Sequence, residues 1–218
     1  MKQRSVTTLC WLVAALMLVG CQSAYYSAME KMGNHKRDIL IDRVEAATES
    51  QEEAKEEFKS ALEQLTTLVN FDGGELQTQF ELAKDRFEAS EKAAQEVTDR
   101  IDAIENVAEA LFDEWNEEID QYSNASLKSQ SKSQLRQTER RYQSVISAMH
   151  NARETMSPVL AALKDNMLFL KHNLNAKAIG ALKGEYRTIQ RDVDRLVAQM
   201  NKSIQDSKAF IDTLKASN

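Results

Sequence analysis

Only two cysteines, Cys10 and Cys21, occur in the 218 residues. That number is too small for a disulfide framework or a zinc site of the Cys type. One proline and six glycines leave few places where regular structure must break. Aromatic residues make up 6% of the chain and charged residues 28%, a balance that belongs to long helices and coiled coils. The formal charge of −6 argues against general nucleic-acid binding, which needs basic surface to neutralise phosphates. Catalytic constellations are missing as well. A di-iron bundle needs Glu-x-x-His pairs, yet Met32, Ser147 and Phe169 stand three residues before His35, His150 and His172. The segment GALKG, residues 180–184, lacks the G-x-x-x-x-G-K-[ST] pattern of a phosphate loop. No serine sits in a glycine elbow. The expectation is a protein that is not an enzyme and has no cofactor, metal or catalytic residue.

What is present begins with an address. Lys2 and Arg4 precede eleven consecutive apolar residues, 9–19. The run is too short to span a bilayer, which takes about 20 residues, and it fits the apolar core of a secretory signal. Its exit, LVGC at residues 18–21, resembles the lipobox of bacterial lipoproteins. That resemblance implies cleavage before Cys21 and acylation of Cys21, with two or more acyl chains giving stable attachment. Gln22 stands where an aspartate would favour inner-membrane retention, so the resemblance points to the outer membrane. An ordinary signal with a chance cysteine is the alternative. Tyr25 and Tyr26 suit either a headgroup layer or a packing role. The chain divides into a signal at 1–20, an anchor and tether at 21–33, and a helical domain at 34–218.

Behind the tether, apolar residues recur at alternating spacings of four and three, the heptad signature. With Asn34 as N-cap, the first seam runs Leu40, Val44, Ala47, Ala54, Phe58, Ala61, Leu65 and Leu68, broken by Gln51. NFDGG, residues 70–74, ends it with turn chemistry. The second helix spans 75–122, from Leu76 through Phe80, Phe87, Val97, Ile101, Ile104 and Leu111 to Trp115, with Tyr122 as an extension. The third becomes clear from Leu135 and Tyr142 to Met167 and Leu170. Pro158 predicts a kink, or a restart capped by Ser157. A turn at 172–175 precedes a fourth helix carrying Ile179, Leu182, Ile189, Val193, Leu196, Met200, Phe210 and Leu214. The fold expected is all-α: an elongated, antiparallel, up-down-up-down four-helix bundle with heptad seams. The same seams also allow a homodimer.

Charge divides the chain. Residues 75–122 hold 15 acidic and 4 basic groups, a net of −11, and residues 126–174 hold 8 basic and 3 acidic, a net of +5. Opposite fields on consecutive helices help select partner and register. Lys128, Lys132, Arg136 and Arg140 form a basic stripe that suits anionic headgroups. The competing role is pairing with the acidic second helix. At the far end, Leu168 and Phe169 point away from the seam and form a candidate partner-binding pair. The alternative is a wider apolar stripe covered by the first turn near Phe71.

Two stretches, AEALFDEWNEEIDQYSNASLKSQS at 108–131 and MSPVLAALKDNMLFLKHNLNAKAIGAL at 156–182, resemble a family of uncharacterised proteobacterial lipoproteins with a domain of unknown function. The resemblance implies a Gram-negative envelope protein and supplies no activity, cofactor or site residue. The expected role is an envelope structural or protein-interaction component, tied to the membrane through lipid on Cys21 and facing the periplasm. Its protein partner is not identified. The second role to consider is a bundle that binds lipid or another hydrophobic ligand at the membrane surface.

Overall fold

The structure is a computed structural model that describes residues 35–71, 73 and 75–216. The expected signal, Cys21, the expected tether with Tyr25 and Tyr26, and the expected cap Asn34 lie outside the described residues. Four helices account for the described fold: α1 (Lys36–Val69), α2 (Leu76–Gln121), α3 (Ala125–Lys171) and α4 (Ala176–Ala216). The described residues form no strand. At 1.5 Å per residue, α2 and α3 are each roughly 70 Å long.

The helices neighbour one another in the cyclic order α1–α2–α3–α4, with α4 returning to α1. Every adjacent pair is antiparallel. Between α1 and α2, Gln64 donates to Gln79 (2.9 Å) near their turn, and Lys36 pairs with Glu114 (2.8 Å) at the opposite end. Between α1 and α4, the hydroxyls of Thr66 and Tyr186 meet at 2.8 Å at one end, and Lys215 pairs with Glu45 (2.6 Å) towards the other. Glu105 meets His150 (2.9 Å) across α2 and α3. The ring of Tyr142 on α3 lies 5.4 Å from Phe112 on α2 and 6.5 Å from Phe210 on α4, fastening three helices together. The architecture is the expected up-down-up-down bundle.

The seam residues of the heptad pattern form its core, with Leu40, Val44, Phe58, Leu68, Val97, Ile101, Ile104, Met149, Leu170 and Leu196 essentially inaccessible. Ile39, Ile41, Val107, Ile146, Ile204 and Ile211 are buried beside them. Each helix of a four-helix bundle touches two neighbours, so its buried stripe is wider than a two-stranded seam.

Turn chemistry sets the boundaries. The turn after α1 contains Gly73 at φ +153°, a conformation L side chains rarely adopt. The side chain of Asn124 caps α3 by accepting from the amides of Ser126 (2.9 Å) and Leu127 (3.1 Å). Asn175 serves α4 in the same way, accepting from Lys177 (3.0 Å) and Ala178 (3.1 Å). Each satisfies two amides that the helix itself leaves unpaired.

Two expectations fail. Tyr122 does not extend the seam: it is the C-cap of α2 and 43% exposed, and Ile119 is the last buried residue of that helix. Nor does α3 restart at Pro158, since it runs unbroken from Ala125 to Lys171. Proline deprives the carbonyl four residues earlier of its donor. That carbonyl belongs to Glu154, which is exposed, as is Pro158, so water can reach it.

Candidate functional site

Among the described residues, no group of three or more His, Cys, Asp or Glu side chains could hold a metal ion. A concavity lies at the proximal end of the bundle, where α1 begins and α4 finishes. Residues of all four helices build it. Lys36, buried on α1, reaches Glu114 of α2. The guanidinium of Arg37 donates to the main-chain carbonyl of Leu214, one of the last of α4. Such carbonyls lack a helical donor, and a cation there also meets the negative end of the helix dipole. On α2, the indole N–H of Trp115 donates to the Ser131 hydroxyl of α3 (2.9 Å), fixing the ring across the α2–α3 interface.

Between these ends lies a pocket of about 400 Å³. Leu111, Trp115 and Leu214 supply its apolar wall; Glu118, Gln134, Gln137, Thr138 and Arg141 supply much of the rest. Its size falls within the range of about 300–1,000 Å³ usual for small-ligand sites. Its mixed lining suits a group with an apolar body and a polar tip better than a plain hydrocarbon chain.

Beyond the pocket the α2–α3 hairpin overhangs. After Glu114, which marks the level of the first residue of α1, α2 continues seven residues to Gln121. That is about 10 Å of extra rod. Tyr122 and Leu127 are exposed on this tip, Leu127 at 50%.

The sequence-derived basic stripe divides here. Lys128 pairs with Asp120 (3.1 Å) and holds that carboxyl below its ordinary range, with a smaller contribution from Lys132. Lys132, Arg136 and Arg140 are exposed on α3. Pairing with the acidic helix therefore occurs at the first member of the stripe, and further along it is His150 and Arg153 that meet Glu105 and Asp102. At the far end, Leu168 and Phe169 are 54% and 44% exposed, so the first turn does not cover them. The pocket was missed in the sequence because its lining comes from four helices and is assembled only by the fold. The available signal was Trp115, a tryptophan at the end of a seam whose other aromatics are phenylalanines.

Fold and contacts define an all-α, antiparallel four-helix bundle protein. The chain belongs to the family described as a protein of unknown function (DUF2959), whose model matches residues 25–214. No curated protein matches the chain in sequence.

Proposed function

We propose that this protein is a lipid-anchored component of a proteobacterial envelope, acting as a structural or protein-interaction element rather than as an enzyme. Acyl chains on Cys21 hold it to the membrane, most simply the outer membrane, and the bundle faces the periplasm. One observation carries this reading. LVGC closes an eleven-residue apolar run, and its cysteine stands four residues ahead of the first residue of the family match. Cleavage before Cys21 would release the signal and leave the family's domain whole. The fold is compatible with a tether: α1 starts at the same end where α4 stops, so a rod held there carries its opposite end well away from the membrane. Among the described residues no helix is long and apolar enough to cross a membrane.

Cys21→Ser tests the assignment. The variant should stay as unprocessed precursor or leave the membrane fraction, and it should lose incorporation of labelled fatty acid. A variant that matures and remains membrane-bound like the parent would refute the lipid anchor. The second reading, a bundle that binds a lipid or hydrophobic ligand, has the proximal pocket in its favour. Its charged lining weighs against an acyl chain, and native mass spectrometry of membrane-purified protein would reveal any co-bound lipid.

A further inference from the structure

We propose that copies of this chain pack side by side, the acidic α1–α2 side of one against the basic α3–α4 side of the next. Arg195 and Lys202 of the second copy then enter a groove between α1 and α2. The charge of the bundle supports it first. Together α1 and α2 carry 23 acidic and 9 basic groups, a net of −14. Their counterparts α3 and α4 carry 8 acidic and 16 basic groups, a net of +8. The cyclic order of the helices puts the two pairs on opposite sides of the bundle. Each copy therefore carries both halves of a complementary contact, and such complementarity steers encounter and fixes register.

The groove supplies a second observation. It measures about 840 Å³ and is lined by α1 and α2 alone. Ala46, Ala89 and Ala93 contribute only methyl groups to it, and six glutamates against Lys92 and Arg100 make it acidic. Four of the six meet cations of the same chain. Glu49 and Glu53 are exposed and make no ion pair among the described residues. Ser50 lines the same groove and is only 7% exposed. Its hydroxyl has no hydrogen-bond partner among the described residues, whereas the buried hydroxyls of Thr48, Ser90 and Ser207 each return to a carbonyl of their own helix. An unused acceptor beside unpaired carboxylates suits an ammonium or guanidinium whose stem lies along the alanines.

The basic side presents that chemistry at the right level. Arg191, Arg195 and Lys202 are exposed on α4 and, four and seven residues apart, share one helical face. Lys202 pairs with Asp206 (2.6 Å), which lines a groove between α3 and α4, so this face belongs to the α3–α4 side. That pair, and the one between Arg195 and Asp192 (3.4 Å), lie on the surface of a single helix and are worth little, so both cations can turn to another carboxylate. The hydrogen bond from Lys55 to Asn201 puts Lys202 level with the groove. Two copies with the same ends together thus meet without an axial offset. A two-fold pair cannot make this contact, because it sets like sides against each other. The contact is heterologous and adds copies in a row.

The test uses the full chain in dodecyl maltoside, followed by analytical sedimentation. At about 100 μM the parent should associate in about 20 mM salt, and raising the salt to about 500 mM should weaken association about tenfold or more. Glu49→Lys with Glu53→Lys should abolish association, and so should Arg195→Glu with Lys202→Glu, the helical dichroism being unchanged in both. Glu49→Gln with Glu53→Gln should weaken it without adding charge of the wrong sign. Equimolar mixing of the two charge-reversed variants should restore it, although their formal charges, −2 and −10 against −6 for the parent, are both negative. Carbodiimide treatment of mixed isotope-labelled and unlabelled chains should join Glu49 or Glu53 of one to Lys202 of another. A parent that stays monomeric at low salt would overturn the proposal. So would association that both charge-reversed variants retain, or a mixture that associates no better than either variant alone. Loss in the glutamate variants without loss in the α4 variant would assign the groove to a different basic partner and overturn the proposal equally.

Discussion

Replacing Gln51 by leucine should make the protein more stable. Gln51 is wholly buried in the α1 seam, and neither its amide oxygen nor its amide nitrogen has a hydrogen-bond partner within the protein. The hydrogen bond from Lys55 to Asn201 (3.2 Å) sets the local register of α1 against α4. One turn back along α1, Gln51 therefore lies level with Ser203 and Ser207, both fully buried. Ser207 donates to the carbonyl of Ser203 (2.7 Å), whereas the Ser203 hydroxyl has no partner of its own within the protein. An unsatisfied buried polar group costs about 1–3 kcal/mol. Leucine has nearly the volume of glutamine and removes that cost, so the gain should be about 2 kcal/mol. For a domain of this size that is an increase of roughly 4–8 °C in Tm. Thermal and urea unfolding followed by helical dichroism would measure it, with the particle mass checked by light scattering. A loss of stability of more than about 1 kcal/mol would refute the reasoning and show that ordered water satisfies the amide. A change of mass would show that the glutamine sets oligomeric state, as single polar seam residues do in coiled coils.

Three further outcomes follow from the same structure. Phe169→Glu, at an exposed site, should change stability by no more than about 0.5 kcal/mol, and a sharp drop in Tm would show the ring to be buried in solution. Asn124→Ala removes acceptors for two amides of α3 and should cost about 1 kcal/mol in urea unfolding; an unchanged midpoint would remove the cap from the account. Burial, with help from Glu105 and Glu109, pushes the Tyr142 phenol well above its ordinary value. The unfolded phenol ionises near pH 10, so above that pH the unfolded state binds fewer protons and stability falls as pH rises. Tyr142→Phe should lose that part of the alkaline decline, and identical pH profiles for the two proteins would contradict it.

The elements were legible because long helices with few interruptions announce themselves through one period. Leu40 to Leu68 and Phe80 to Leu111 sit in the core as spacing requires. What the period could not show was the width of the stripe. Ile146 and Ile211 are buried because each helix meets two neighbours, and that depends on the arrangement of all four. The restart that Pro158 suggested does not occur, for a related reason. Local chemistry favours a break, but a 47-residue helix packed along both sides continues when the disrupted turn faces solvent. Tyr122 continued the pattern in sequence at a level where α1 and α4 no longer supply a surface to pack against.

If the chain is lipid-anchored as proposed, the tip of the α2–α3 hairpin bears on how the bundle would meet a membrane. A basic stripe beside an anchor invites an electrostatic explanation, each cation near an anionic surface contributing about 1 kcal/mol. The structure places Glu117, Glu118 and Asp120 on the same overhanging hairpin, all exposed, and ties Lys128 to Asp120. Carboxylates so close to the stripe offset its field, and salt weakens what remains. The apolar side chains of the tip do not suffer this cancellation. Tyr122 and Leu127 flank the cap residue Asn124, which orders the start of α3 and so fixes where both side chains project. A lipid on Cys21 would supply the affinity, since two acyl chains far outweigh a few partly neutralised lysines. The tip would then determine orientation, with tyrosine at the headgroup level where that residue is enriched. On that proposal the lysines and arginines of α3 would serve chiefly as the counter-field to acidic α2, and the membrane end of the rod would be set by lipid, aromatic and leucine rather than by charge.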